Sequence, residues 1–115
     1  MLDFEDYSLI QPAVLVTILT ESALQASLEK LLKNLKVYGY SVQNSSGAVK
    51  RVRLFGQPQA AEAAATEVEN YDSANVEIRA VVSPELSNVI LFALKEQQRQ
   101  FPILVYRQKV EALIE

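Results

Sequence analysis

Residues 13–22, Ala13-Val14-Leu15-Val16-Thr17-Ile18-Leu19-Thr20-Glu21-Ser22, set the plan of this chain. As far as Thr20 the stretch is β-branched and nearly all apolar. That is the pattern of a central strand buried on both faces, or on one face and a subunit interface. Thr20-Glu21-Ser22 then changes the grammar. A Thr or Ser just before a periodic apolar pattern, with an acid in the first turn, opens a helix. A buried strand therefore passes directly into a helix.

Downstream, Leu24, Leu28, Leu31, Leu32 and Leu35 recur at the spacing of one helix face, predicting a helix from Ser22 to about Lys36. Glu29 and Lys33 stand at i, i+4 in the favourable order on the other side. Val37 begins the exit and Gly39 is the expected turn. Tyr40–Asn44 reads as a second strand, and residues 45–74 as an irregular segment. Asn75–Val82 alternates, with Val76, Ile78 and Ala80 on one face and Glu77, Arg79 and Val81 on the other, as in a strand with one buried face. Ser83-Pro84-Glu85 is a second helix start, followed by Leu86, Val89, Ile90, Ala93 and Leu94 at helical spacing. The polar run Gln97–Gln100 ends that helix, and Phe101-Pro102 forces an extended connection. Ile103–Tyr106 is a last strand that runs on toward Val110, and Glu111–Glu115 is a short turn or a frayed end. Residues 1–12 give no clean period and read as an N-terminal arm.

The order is β-α-β, long loop, β-α-β. This predicts an α+β, ferredoxin-like βαββαβ sandwich: a four-stranded antiparallel sheet with two helices on one face and a long loop between strands 2 and 3. Two helices leave the other face uncovered. The first strand is too apolar to meet water on either side, so an oligomer is expected.

Composition narrows the chemistry. The 115 residues suit one domain. There is no Cys, which removes disulfides, zinc–thiolate sites, iron–sulfur ligation and cysteine nucleophiles. There is no His, which removes the commonest general base and transition-metal ligand. A Ser-His-Asp triad cannot be assembled. Net charge of −3 and a pI of about 5.0 argue against nucleic acid as a partner. The longest apolar run, Ala13–Leu19, is interrupted by Thr17 and falls short of the ~20 residues that span a bilayer. The acidic Met1–Asp6 lacks the basic start of a signal peptide, so the expected compartment is the cytoplasm, without membrane insertion.

Residues 39–58 hold all three glycines of the chain and three cations, Lys50, Arg51 and Arg53, before Gly56-Gln57-Pro58. On an extended segment Arg51 and Arg53 point the same way. Two guanidiniums on one face suit bidentate contacts to a phosphate. They equally suit a solvated strand edge guarded against aggregation. Asn44–Gly47 reads as a soft polar turn rather than a phosphate loop, because no Gly-Lys-(Ser/Thr) helix start follows. Ala60–Glu69 has high helix propensity, but its length is marginal for an isolated helix. The basic start of the segment (Lys50, Arg51, Arg53) and its acidic end (Glu62, Glu67, Glu69, Asp72) carry opposite charges, whose attraction would hold it folded back.

Several stretches in this order carry a family resemblance: Thr20-Glu21 at the strand end, Gly39-Tyr40-Ser41-Val42 opening the second strand, Lys50-Arg51-Val52-Arg53 followed by Gly56-Gln57-Pro58, and Asn75-Val76 before an alternating strand. Together they resemble the PII superfamily of trimeric signalling proteins, and within it the PII-like regulators of cyanobacterial bicarbonate transport. The resemblance spans residues 13–110 and implies a single PII-like domain over 1–115, with 44–74 as the effector arm, or T-loop. It implies a homotrimer with an adenine nucleotide (ATP, ADP, AMP or cyclic AMP) in the cleft between subunits. Arg51 and Arg53 would hold phosphate, Gly56 would lie near the ligand by its backbone, and Thr20 and Glu21 would form the cleft wall. The arm would dock onto a target protein, a membrane transporter or an enzyme, and the chain itself would not be an enzyme.

One departure stands out. Where the family carries a glycine-bearing loop before the last strand, this chain has Arg99-Gln100-Phe101-Pro102 in a shorter connection. That keeps open a second reading, a PII-like scaffold that binds no nucleotide and acts only through protein contacts. An acylphosphatase-like enzyme would need an anion-cradling loop with an Arg after the first strand, where this chain has the acidic Thr20-Glu21-Ser22. An RNA-recognition domain would need aromatic platforms on its central strands, and Ala13–Thr20 and Asn75–Val82 contain none.

Overall fold

The computed structural model describes residues 9–55 and 66–114, of which 52–55 and 66–69 are described by backbone alone. Six elements follow the expected order: β1 (Gln11–Thr20), α1 (Gln25–Asn34), β2 (Gly39–Phe55), β3 (Thr66–Val82), α2 (Pro84–Gln97) and β4 (Leu104–Ala112). A 3-10 turn, Ser22–Leu24, leads from β1 into α1. The four strands form one antiparallel sheet in the order β2-β3-β1-β4, the ferredoxin-like arrangement.

Parity along the strands decides what the sheet buries. Val14, Val16 and Ile18 of β1 pair with Val82, Ala80 and Ile78 of β3, and these side chains meet Leu24, Leu28 and Leu32 on one side and Ile90 and Leu94 on the other. Both helices therefore cover the same face. The opposite parity, Leu15, Leu19 and Val81, stays half-buried, and Leu104 and Tyr106 beside them on β4 are 46% and 49% exposed. The uncovered face is mixed: Leu15, Leu19 and Val81 stand beside the buried Ala13 and Thr17, with the exposed Arg79 and half-buried Glu77 among them.

The start of α2 is legible in the sequence, whereas the expected cap at Thr20-Glu21-Ser22 does not form: Glu21 and then Leu24 hold the cap positions of the 3-10 turn and of α1 with no side-chain bond. Ser83 caps α2, its Oγ accepting from the amide of Leu86 at 3.2 Å, with Pro84 at the first position. The end of α1 differs from expectation. The turn falls on Lys36, at φ 58°, and not on Gly39, which opens β2. The amide of Val37 reaches the carbonyl of Leu32 (3.3 Å) and that of Lys36 reaches Lys33 (3.1 Å), the paired bonds of a Schellman motif.

The largest correction concerns the middle of the chain. Residues 45–55 and 66–74 are not irregular: β2 and β3 continue as a two-stranded ribbon from Gly47↔Ala74 to Phe55↔Thr66, beyond the four-stranded part of the sheet. At ~3.4 Å per residue this arm is ~30 Å long. Charges in Ala48–Arg53 mask its alternation, so the strand reads in sequence as ending at Asn44. The helix-prone stretch Ala60–Glu69 lies mostly outside the described residues, and its end, Thr66–Glu69, is strand. Asn44–Gly47 is a β-bulge and not a turn, with Ser45 and Ser46 set against Asn75 alone. At the N-terminus Gln11 and Pro12 belong to β1, paired with Ala112 and Glu111; Leu9 and Ile10 precede the strand, and residues 1–8 of the expected arm lie outside the described residues.

Candidate functional site

The bulge has a consequence for side-chain direction. Before it, Tyr40, Val42 and Asn44 share the helix-side face through their partners Ala80, Ile78 and Val76. One extra residue inverts the parity of everything that follows. Beyond the bulge the odd residues face the helix side: Val49 across from Asp72, and Arg51 across from Asn70. Val49 is 5% exposed, sealing the root of the arm against the domain. The next helix-side residue is Arg51.

Arg51 uses both ends of its guanidinium fork. Its Nη1 donates to Oδ2 of Asp72 at 3.1 Å, a diagonal pair across the ribbon. Its Nη2 donates to the carbonyl oxygen of Arg99 at 3.2 Å, on the connection between α2 and β4. That carbonyl lies just past the C-terminus of α2, where the helix dipole adds negative potential. A cation at this point is favoured on both sides. The side chains of Arg51 and Asp72 are 15% and 28% exposed, so water screens the pair only in part.

The same connection is held from β1. Thr20, fully buried at the end of that strand, donates its Oγ1 to the carbonyl oxygen of Pro102 at 2.8 Å. Gln98 Nε2 donates to the carbonyl oxygen of Ile103 at 3.1 Å. Phe101 packs on the core and lines an apolar groove between α1 and α2 with Leu24, Leu28 and Leu31. The Phe-Pro pair thus has a packing role: Phe101 fills space between the helices, and Pro102 presents a carbonyl to Thr20.

Of the residues singled out in the sequence, Thr20 and Arg51 converge on the 99–102 connection, at its two ends. Glu21 precedes the 3-10 turn in extended conformation, and its carbonyl accepts from the amide of Leu24 at 3.1 Å. Arg53 is placed by its backbone, opposite Val68 in the ribbon. Gly56 lies outside the described residues. Two contributors are legible in the sequence without these particular contacts, although the Arg51–Asp72 pair is of the kind expected between the basic and acidic ends of the segment. Asn75, opposite the bulge, accepts at Oδ1 from the amide of Ser22 at 2.8 Å, tying the arm's root to the turn after β1. Asp72 stands in the sequence only as one acidic residue of the segment among several. An Asn opposite a Ser-Ser-Gly is an available signal, but only once the bulge is recognised.

Among the described residues no group of three Asp or Glu side chains converges as a metal site, and no helix is long and apolar enough to cross a membrane.

No family profile matches the sequence, and no curated protein matches it. Solved structures do. A PII-like signalling protein from Thermus thermophilus is similar at a TM-score of 0.64 and 23% identity, over 90% of this chain and 92% of that one. CPII, a nitrogen regulatory PII-like protein from Thiomonas intermedia K12, is similar in its apo form at a TM-score of 0.63 and 20% identity, over 90% and 94% of the two chains. The same protein bound to ADP, AMP and bicarbonate is similar at 0.63 and 19% identity, over 90% and 97%. At these identities the likeness establishes architecture: the chain has the PII-like fold.

Proposed function

We propose that this protein is a non-enzymatic PII-like regulator, a trimer that senses an adenine nucleotide at the cleft between subunits and modulates a target through the arm 44–74. The observation that carries this reading is the pair of contacts made by Arg51, which couples the root of a projecting ribbon to the α2–β4 connection. A ligand phosphate at that point touches the residue that positions the arm. The fold agrees, and CPII of the same fold takes ADP and AMP. In the proposed assembly the uncovered face around Leu104 and Tyr106 packs at the trimer contact, and the protein works in the cytoplasm on a transporter or an enzyme. Thr20 and Glu21 would line the cleft, with Arg53 and Gly56 completing the phosphate end.

A second reading, a scaffold without nucleotide, is favoured by a specific feature. The 99–102 connection has no glycine, and the carbonyls of Arg99 and Pro102 are already taken by Arg51 and Thr20. Calorimetric titration with ATP, ADP, AMP and cyclic AMP, alongside the mass by light scattering, separates the two. The sensor reading expects binding heat and a trimeric mass. It also expects Arg53→Ala to weaken binding by ~1.5–3 kcal/mol, the scale of a hydrogen bond to a charged group. A trimeric mass with no heat from any nucleotide leaves the scaffold.

A further inference from the structure

We infer that Asp72 is a built-in competitor for Arg51, so that the arm's own carboxylate opposes anion binding at its base and is displaced when a phosphate is held there. This rests on the reading of Arg51 as a phosphate contact. The geometry supplies the rest. Asp72 sits directly across from Val49 on β3, on the helix-side face, and its Oδ2 accepts from Nη1 of Arg51 at 3.1 Å. Nη2 is held by the carbonyl of Arg99. A guanidinium offers a phosphate its fork, two parallel N–H groups, and here each terminal nitrogen is engaged by the protein itself. Each terminal nitrogen keeps a second N–H, but a phosphate that takes these sits against the Asp72 carboxylate, so two anions compete for one guanidinium.

Loss of either contact changes the arm. The diagonal Arg51–Asp72 pair bridges the two strands of the ribbon just where it leaves the four-stranded sheet. A two-stranded ribbon is marginal by itself in water. Loss of the Asp72 contact unties β2 from β3 near the root of the arm, and loss of the Arg99 contact unties the arm from the α2–β4 connection, while Val49 and the backbone ladder remain. The displaced carboxylate of Asp72, now close to the phosphate, is repelled by it, which favours movement of β3 away from the cleft. The device converts occupancy at Arg51 into freedom of the arm without a hinge.

The test compares the full-length protein with Asp72→Asn, which keeps the shape of the side chain and removes its charge, and with Glu111→Gln, which removes one negative charge from β4, away from the arm. Titration with ADP is expected to give binding to Asp72→Asn tighter by about two- to fivefold, the range that opens when a partly screened ion pair no longer competes. Glu111→Gln is expected to bind as the unaltered protein does. In hydrogen exchange without nucleotide, the amides of 47–51 and 70–74 are expected to exchange faster in Asp72→Asn, and ADP is expected to bring the unaltered protein toward that pattern. Equal or weaker ADP binding in Asp72→Asn overturns the competitor while leaving the site in place. An equal gain in Glu111→Gln overturns it in favour of general charge. Absence of binding in all three proteins overturns the phosphate reading and the competitor with it.

Discussion

The hydroxyl of Thr20 donates to the carbonyl oxygen of Pro102 at 2.8 Å, across 82 positions of sequence. Both groups are buried, one at the end of β1 and the other on the connection that Arg51 holds from the opposite side. Val has nearly the shape of Thr and lacks the donor. Thr20→Val is therefore expected to leave the Pro102 carbonyl unpaired in a dry site and to cost about 1–2 kcal/mol. Urea unfolding at fixed protein concentration reads this as a lower midpoint at unchanged slope. A variant as stable as the parent would mean that the connection is anchored by Phe101 packing and not by this bond.

Lys36 offers the opposite sign. It closes the Schellman motif of α1 at φ 58°, a conformation that costs an L-residue roughly 1 kcal/mol and glycine very little. Glycine gives back part of the gain through a freer unfolded chain. Lys36→Gly is expected to stabilise the protein by about 0.5 kcal/mol, seen as a slightly higher urea midpoint. A loss of stability would show that the Lys36 side chain contributes more than its backbone strain takes away.

These two residues also mark where the sequence can be read and where it cannot. The β-α-β halves are readable because apolar residues recur at 3.6 along α1 and at 2 along β3, and because Ser83-Pro84 caps a helix by a local rule. Lys36 carries no such mark. The nearby Gly39 draws the expected turn to itself, although the Schellman bonds close at Lys36 and Val37. The arm is hidden for a related reason. A bulge shifts parity by one, so a strand with Ser45-Ser46 inserted no longer alternates in register with its own beginning, and it reads as loop. Arg51 stands out by its charge, but its partners, Asp72 and the Arg99 carbonyl, follow from that parity shift and from a connection 48 residues away.

Glu29 supplies a pH-dependent test of how β2 is tied to α1. Its carboxylate accepts from Gln25 Nε2 at 3.2 Å and from the Tyr40 hydroxyl at 3.0 Å. The bond from Gln25, then that from Tyr40, and the nearby Lys33 hold its pKa below the ordinary carboxylate value, against an opposing effect of desolvation. A carboxyl lowered in the folded state stabilises the fold at pH values above its ordinary range, and that contribution disappears as pH falls through the lowered value. Tyr40→Phe is expected to move the Glu29 titration upward, toward the ordinary value, so that the acid-side loss is smaller and is complete at higher pH. Carbon-detected NMR titration of the Glu29 carboxyl measures this directly. An unmoved titration in Tyr40→Phe would assign the whole shift to Gln25 and Lys33.

The parity inversion at the bulge makes the sharpest demand on the neighbouring pair Lys50 and Arg51. If the bulge sets direction, residue 51 faces the α2–β4 connection and residue 50, opposite Tyr71, faces the other way. Moving the guanidinium by one position then moves it to the wrong face, even though net charge and local composition barely change. Arg51→Ala is expected to raise amide exchange in 47–51 and 70–74 by roughly two- to fivefold, the scale of a partly screened ion pair with an added hydrogen bond. Adding Lys50→Arg to Arg51→Ala is expected to give no recovery. The backbone ladder from Gly47↔Ala74 outward should survive in both variants, because it depends on pairing and not on the guanidinium. Recovery of protection in the double variant would mean that residue 50 reaches the connection, that the ribbon keeps the parity it has before Asn44, and that the contacts of Arg51 are incidental to the arm.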